Sequence, residues 1–209
     1  MLPCPWSWRY TEKYRAVSEI GSHFIDLLRF TTGQEVRRVS ALFVNHSPDR
    51  IVDENGMMHP EDQSKDIVGK NPKNIHVKNE DGAVITFELE NGAPVSCFLC
   101  EIAPGRSNDL QIELMTPKGS FSWGAEHPYQ VVTGRQTQGM ITQSNAFGGG
   151  FGDSFASCFK AFYQAIETGK RDERLASFKD AAINARIVEA IGESAGKQGS
   201  FVETKFPIK

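Results

Sequence analysis

Between Ser18 and Thr31 the apolar positions Ile20, Phe24, Leu27, Leu28 and Thr31 recur at the spacing of one helix face. Ser18 can cap the start of that helix, and Gly33 can end it in the left-handed conformation. The period then changes to two. Val39, Ala41 and Phe43 alternate with Ser40, Leu42 and Val44, which predicts a strand over Val36–His46 with apolar residues on both faces. Ser47–Lys73 is polar, carries Pro48, Pro60 and Pro72, and reads as a long surface excursion. A meander follows over Asn74–Trp123. Ile85, Phe87 and Leu89 alternate on one strand, and Val95, Cys97 and Leu99 on its return, with Asn91-Gly92 as the hairpin turn between them. Leu110, Ile112 and Leu114 alternate next, and Pro117-Lys118-Gly119-Ser120 turns the chain towards Phe121 and Trp123. Glu126–Gln143 alternates only weakly and reads as a further strand or an ordered loop.

Two helices are predicted to close the chain. Phe155, Phe159, Phe162, Tyr163 and Ile166 form an aromatic stripe that reads as core against a sheet. Ser177-x-x-Asp180 resembles a capping box, and Ala181, Ala185, Val188, Ile191 and Ala195 read as the apolar face of the helix behind it. Ser200–Lys205 reads as a last short strand. Helices at both ends of a run of hairpins predict an α+β fold: a large open, mainly antiparallel sheet with helices packed on one face. Strands apolar on both faces predict that the other face is covered by a second copy, giving a homodimer or higher homo-oligomer.

Composition narrows the function. The chain has 209 residues, a net charge of −3 and a pI near 6, so it carries no basic footprint for nucleic acid. Its apolar runs are too short to span a bilayer, and Met1–Trp6 does not have the pattern of a signal peptide. The four cysteines are scattered. Cys97 and Cys100 would point to opposite faces of a strand, which argues against a shared metal. Reduced thiols in a cytoplasmic protein are expected.

The first helix holds the candidate chemistry. Glu19, His23 and Asp26 stand at i, i+4 and i+7 along one edge of its apolar stripe. A carboxylate one turn from an imidazole can orient the ring and tune its proton affinity, the requirement for general acid–base work. A His beside two acids on a helix edge is also a common solvated arrangement.

The wording of this stretch favours the first. Trp8-Arg9, then Glu19-Ile20-Gly21-Ser22-His23-Phe24-Ile25-Asp26-Leu27 and a Phe30-x-x-Gly33 close resemble the start of the C-terminal domain of the glucose–fructose oxidoreductase / inositol dehydrogenase (Gfo/Idh/MocA) family. The Leu114–Phe121 hairpin and the helix–linker–helix–strand order over residues 153–205 are similar to it as well. In that family an acid-x-x-x-His motif on this helix faces the nicotinamide. The resemblance therefore implies that His23 is a general acid/base and that Glu19 supports it or contacts substrate. It also implies an NAD or NADP cofactor, a sugar, polyol or related secondary alcohol as substrate, and oligomerisation through the sheet. Arg9, Tyr14 and Asp26 are candidate substrate contacts, with surface packing the plainer reading of Arg9 and Tyr14. The sequence departs from the family in having Glu19 for the usual Asp and Ala16-Val17-Ser18 where the family has a glycine-rich run.

No Gly-x-Gly-x-x-Gly stands between a strand and a helix, and Gly148–Gly152 reads as a hinge before a helix. The chain therefore reads as one domain, residues 1–209, with a lead-in segment at 1–16 and the excursion at 47–73. Its nucleotide-binding counterpart is expected to be absent and the chain inactive by itself. The alternative is a non-catalytic self-associating or sugar-binding scaffold. A metal-dependent hydrolase is disfavoured because no two His residues stand at ligand spacing.

Overall fold

The computed structural model describes residues 13–53, 58–60, 73–103, 105–106, 108–144 and 150–205. They divide into two compact units, one of residues 1–105 with 180–209 and one of residues 106–179. The architecture is α+β, and every described strand pairing is antiparallel.

The first unit opens with a π turn, Val17–Gly21, continuing directly into α1, Ser22–Thr32. Gly33 ends α1 at φ +62, and its N–H donates to the Arg29 carbonyl at 2.9 Å. Glycine takes this left-handed position without the steric cost of a Cβ. The start differs from the Ser18 cap expected from sequence. No side chain of the helix caps it. Instead Glu80 Oε1, from a distant turn, accepts the N–H groups of Arg15 at 2.7 Å and Val17 at 3.0 Å.

Strands β1 (Val36–Val44), β5 (Gly82–Leu89), β6 (Pro94–Cys100) and β11 (Val202–Glu203) form a sheet in the order β11-β1-β5-β6. Between β1 and β5 lie β2 (Asp49–Val52), β3 (Met58–Pro60) and β4 (Lys73–His76), which form a small sheet in the order β3-β2-β4. The polar excursion is thus partly strand, since Arg50 and Ile51 of β2 are buried.

α1 and α3 (Phe178–Gly196) pack on one face of the four-stranded sheet. That face presents Val39, Ala41, Ala83, Ile85, Phe87, Leu89, Cys97 and Leu99, all buried. Phe24 of α1 stacks on Phe87 with ring centroids 6.0 Å apart. On α3 the buried residues are Ile187, Ala190, Ile191 and Ser194, while Ala181 and Ala185 are exposed. The stripe expected from sequence is therefore rotated. Ser194 can be buried because its hydroxyl accepts the Ala41 N–H at 2.9 Å and donates to the Ser200 carbonyl at 2.7 Å. The opposite sheet face is open: Leu42, Val84 and Phe98 stand side by side on three strands and are 55%, 49% and 67% exposed.

The second unit holds the strands β7 (Gln111–Thr116), β8 (Gly119–Gly124), β9 (Gln130–Arg135) and β10 (Gly139–Ser144), in the order β10-β9-β8-β7. Glu126–Gln143 thus contributes most of a hairpin. Helix α2 spans Phe151–Thr168 and ends at Gly169, φ +64. Its aromatic stripe does not form core. Phe155, Phe159, Phe162, Tyr163 and Ile166 are each at least half exposed. The periodicity was real, but periodicity alone does not supply a surface to pack against.

Candidate functional site

The edge picked out by the Glu19/His23/Asp26 spacing lies across the junction of the π turn and α1. Glu19 is in the π turn, and His23 and Asp26 follow in α1. A single π turn inside a helix widens the spiral locally and is frequent at functional sites. The opposite side of this helix faces the core through Val17, Gly21, Phe24, Ile25 and Leu28. His23 and Asp26 are exposed and Glu19 is half-buried. Phe30 joins the same edge at 66% exposure. Among the described residues, no side-chain hydrogen bond or ion pair involves Glu19, His23 or Asp26, so all three are available to a ligand.

Tyr14 does not join them. It lies on the flank of the helix that faces α3, in a groove of about 620 Å3 lined also by Ser18, Ser22, Asn184 and Val188. Its ring meets Phe43 edge-on, centroids 6.0 Å apart, and covers Gly192 of α3. Burial raises the affinity of its phenol for the proton. Arg9 lies outside the described residues.

Sequence reasoning missed a buried group of charges beneath this helix. Arg15, Arg50, Glu80, Asp81 and Glu101 are all nearly or fully buried. The Arg15 guanidinium meets Glu101 Oε2 at 3.0 Å, as an ionic contact rather than an aligned hydrogen bond. Arg15 Nε also donates to the Glu80 carbonyl at 3.3 Å. The Asp81 carboxylate accepts the backbone N–H groups of His46 and Ser47, and Arg50 Nη2 stands 3.9 Å from it. Burial pushes the Glu101 carboxyl up to about 7, with Arg15 opposing the shift and Glu19 and Glu80 adding to it. Burial, with Arg15 nearby, brings Arg50 down to about 10. One signal was available for two of these acids. Asp81 continues the core-facing alternation of Ala83, Ile85 and Phe87, and Glu101 continues that of Cys97 and Leu99.

Among the described residues no group of His, Cys, Asp and Glu could hold a metal. Burial pushes the Cys97 thiol up to about 12, so it is not a ready nucleophile. No described helix is long and apolar enough to cross a membrane. The described residues do not fit a dinucleotide. With every described pairing antiparallel, the described residues hold no strand–glycine turn–helix unit of the kind that cradles a pyrophosphate.

The fold resembles solved oxidoreductases. A levoglucosan dehydrogenase in complex with NADH superposes with a TM-score of 0.79 at 23% identity, over 98% of this chain and 54% of that one. An NAD binding oxidoreductase from Klebsiella pneumoniae gives 0.78 at 19% identity, over 97% and 55%. An oxidoreductase domain protein from Kribbella flavida gives 0.77 at 21% identity, over 92% and 52%. The chain thus spans about half the length of these structures, and at such identities the likeness shows the fold alone. No curated protein matches the chain. The family model of the GFO/IDH/MocA C-terminal domain matches residues 2–122, more than half of the sequence, and the chain belongs to that family.

Proposed function

We propose that the chain is the substrate-binding and oligomerisation domain of an NAD(P)-dependent oxidoreductase acting on a sugar, polyol or related secondary alcohol. The observation that carries this reading is the Glu19–His23–Asp26 edge, with His23 and Asp26 exposed and Glu19 half-buried, in a chain of the GFO/IDH/MocA family. His23 exchanges the proton of the substrate hydroxyl. Glu19 orients the imidazole or accepts a hydrogen bond from a neighbouring hydroxyl, and Asp26 and Arg9 add polar contacts. Phe30 offers an apolar surface for the carbon face of a sugar ring. NAD or NADP would be held by residues outside this chain. Fixing two reactants together can contribute on the order of 7–11 kcal/mol to a rate, and this chain holds one of them. It is therefore expected to bind substrate without turning it over.

The test is a titration of the labelled chain with levoglucosan, myo-inositol, sorbitol and glucose, followed through the imidazole resonances of His23. Saturable shifts at His23 with one of these, abolished for that sugar by E19Q/D26N, support the reading. No shift at His23 with any of the four at high millimolar concentration overturns it.

The exposed row Leu42–Val84–Phe98 favours a second reading, a self-associating scaffold that uses the open sheet face and not the helix edge. The two readings separate in the same titration, because a scaffold without sugar recognition leaves His23 unmoved.

A further inference from the structure

Arg15 stands one turn before Glu19, and the Glu19 N–H donates to its carbonyl at 2.8 Å. From the same residue the side chain turns inward to Glu101, with the two side chains 0% and 1% exposed. β6 runs directly beneath the π turn: a Cβ placed on Gly21 would lie 3.0 Å from Leu99 Cδ1. Glu101 lies just past the end of β6, where it continues the alternation of Cys97 and Leu99. It is anchored there by its own N–H, which donates to the Asp81 carbonyl at 2.8 Å. The Glu101 carboxyl oxygens are buried, and neither makes an aligned hydrogen bond. The helix turn that bears Glu19 is thus seated on a carboxyl group held by one arginine.

The composition of this cluster is unequal. Among the described residues it contains two arginines and three acids, so their full ionisation leaves one excess negative charge in the interior. Such a charge is costly unless a proton removes it. Glu101 is the acid best placed to take that proton, because Asp81 is held by two backbone N–H groups and Glu80 by two others. The charged groups acting on Glu101 are Arg15, Glu19, Glu80 and Arg50. Of these acids, Glu19 alone belongs to the helix edge.

We propose that Glu101 is a positioning residue for the Glu19–His23 edge: seated with Arg15 beneath the π turn, its carboxyl group takes up or releases a proton and so sets the charge that Glu19 faces. The proposal rests on the reading that this edge handles the substrate's proton. With Glu101 protonated, Glu19 has a neutral neighbour and keeps its place on the edge with His23. With Glu101 ionised, Glu19 is repelled and swings towards solvent. The burial that pushes Glu101 up to about 7 puts this change near neutrality.

The test uses the full chain with 13C-labelled Glu side chains, so that every carboxyl is followed across pH. The expected result is a Glu101 step near 7 and a second, smaller step at the same pH in the Glu19 resonance. In E101Q that second step disappears. The coupling must be reciprocal, so E19Q lowers the midpoint of Glu101. E19Q alters only a half-exposed residue and keeps the test decisive if E101Q fails to fold. An unchanged Glu101 midpoint in E19Q, or no Glu101 step above about pH 5, overturns the proposal. Sugar binding and turnover do not enter these readouts. A failed sugar titration therefore removes the proposed function, whereas unchanged carboxyl titrations remove the coupling alone.

Discussion

The ring of Tyr14 lies against the bare backbone of Gly192, so closely that a Cβ at position 192 would come within 2.1 Å of Tyr14 Cζ. The lead-in to the π turn and the C-terminal helix meet at this contact, and glycine is what allows it. G192A is therefore expected to displace the ring from Phe43 and to destabilise by about 1–3 kcal/mol, less the gain of up to about 1 kcal/mol that alanine brings to a helix interior. In a Y14A background only the helix gain remains, so the sign of G192A reverses. Urea unfolding of the four proteins in the cycle checks this.

Glu80 caps a helix it does not belong to. Removing its carboxylate with E80A leaves the N–H groups of Arg15 and Val17 without their acceptor. A loss on the order of 2 kcal/mol or more is expected. E80Q keeps an acceptor oxygen and should lose less. Amide hydrogen exchange at Val17 distinguishes them: strong acceleration in E80A, little change in E80Q.

The pH dependence of stability follows from Glu101. Its affinity for the proton in the folded chain, about 7, is above its ordinary value of 4.5, so the folded state binds more protons than the unfolded state between those limits. The contribution is complete below about 4.5 and is lost as pH rises to about 7, by up to about 3 kcal/mol. Subtracting the E101Q stability curve from the parent curve isolates this effect. A difference that is flat between those limits contradicts it.

On the open sheet face Phe98 stands in register with Val84, which pairs with Leu42. F98E puts a charge at the β6 end of this row without touching the core face. Sedimentation of the parent chain as a dimer and of F98E as a monomer is expected, with cooperative unfolding retained in both.

Phe155 and Phe159 of α2 are 61% and 58% exposed. The double substitution F155S/F159S should cost less than about 1 kcal/mol in thermal unfolding, as surface changes do. A loss several times larger would place the stripe in a core.

The sequence by itself determined the class of the fold and most of its elements. Period-two runs at Ile85–Leu89 and Val95–Leu99, joined by Asn91-Gly92, can satisfy their backbone only as a hairpin, and the structure has it. Gly33 and Gly169 end their helices because little else tolerates a positive φ. The wording around Glu19 and His23 was enough to indicate the family. Tertiary structure decided what local pattern cannot encode. Which face of α3 is buried depended on Ser194 finding two backbone partners on other segments. Whether the α2 stripe is core depended on a surface opposite it. The helix bearing Glu19 takes its cap from Glu80, 63 positions from Val17 in sequence, and is seated on Glu101. Spacing reports neighbours along one element, whereas the charge around a residue is set by every element folded against it.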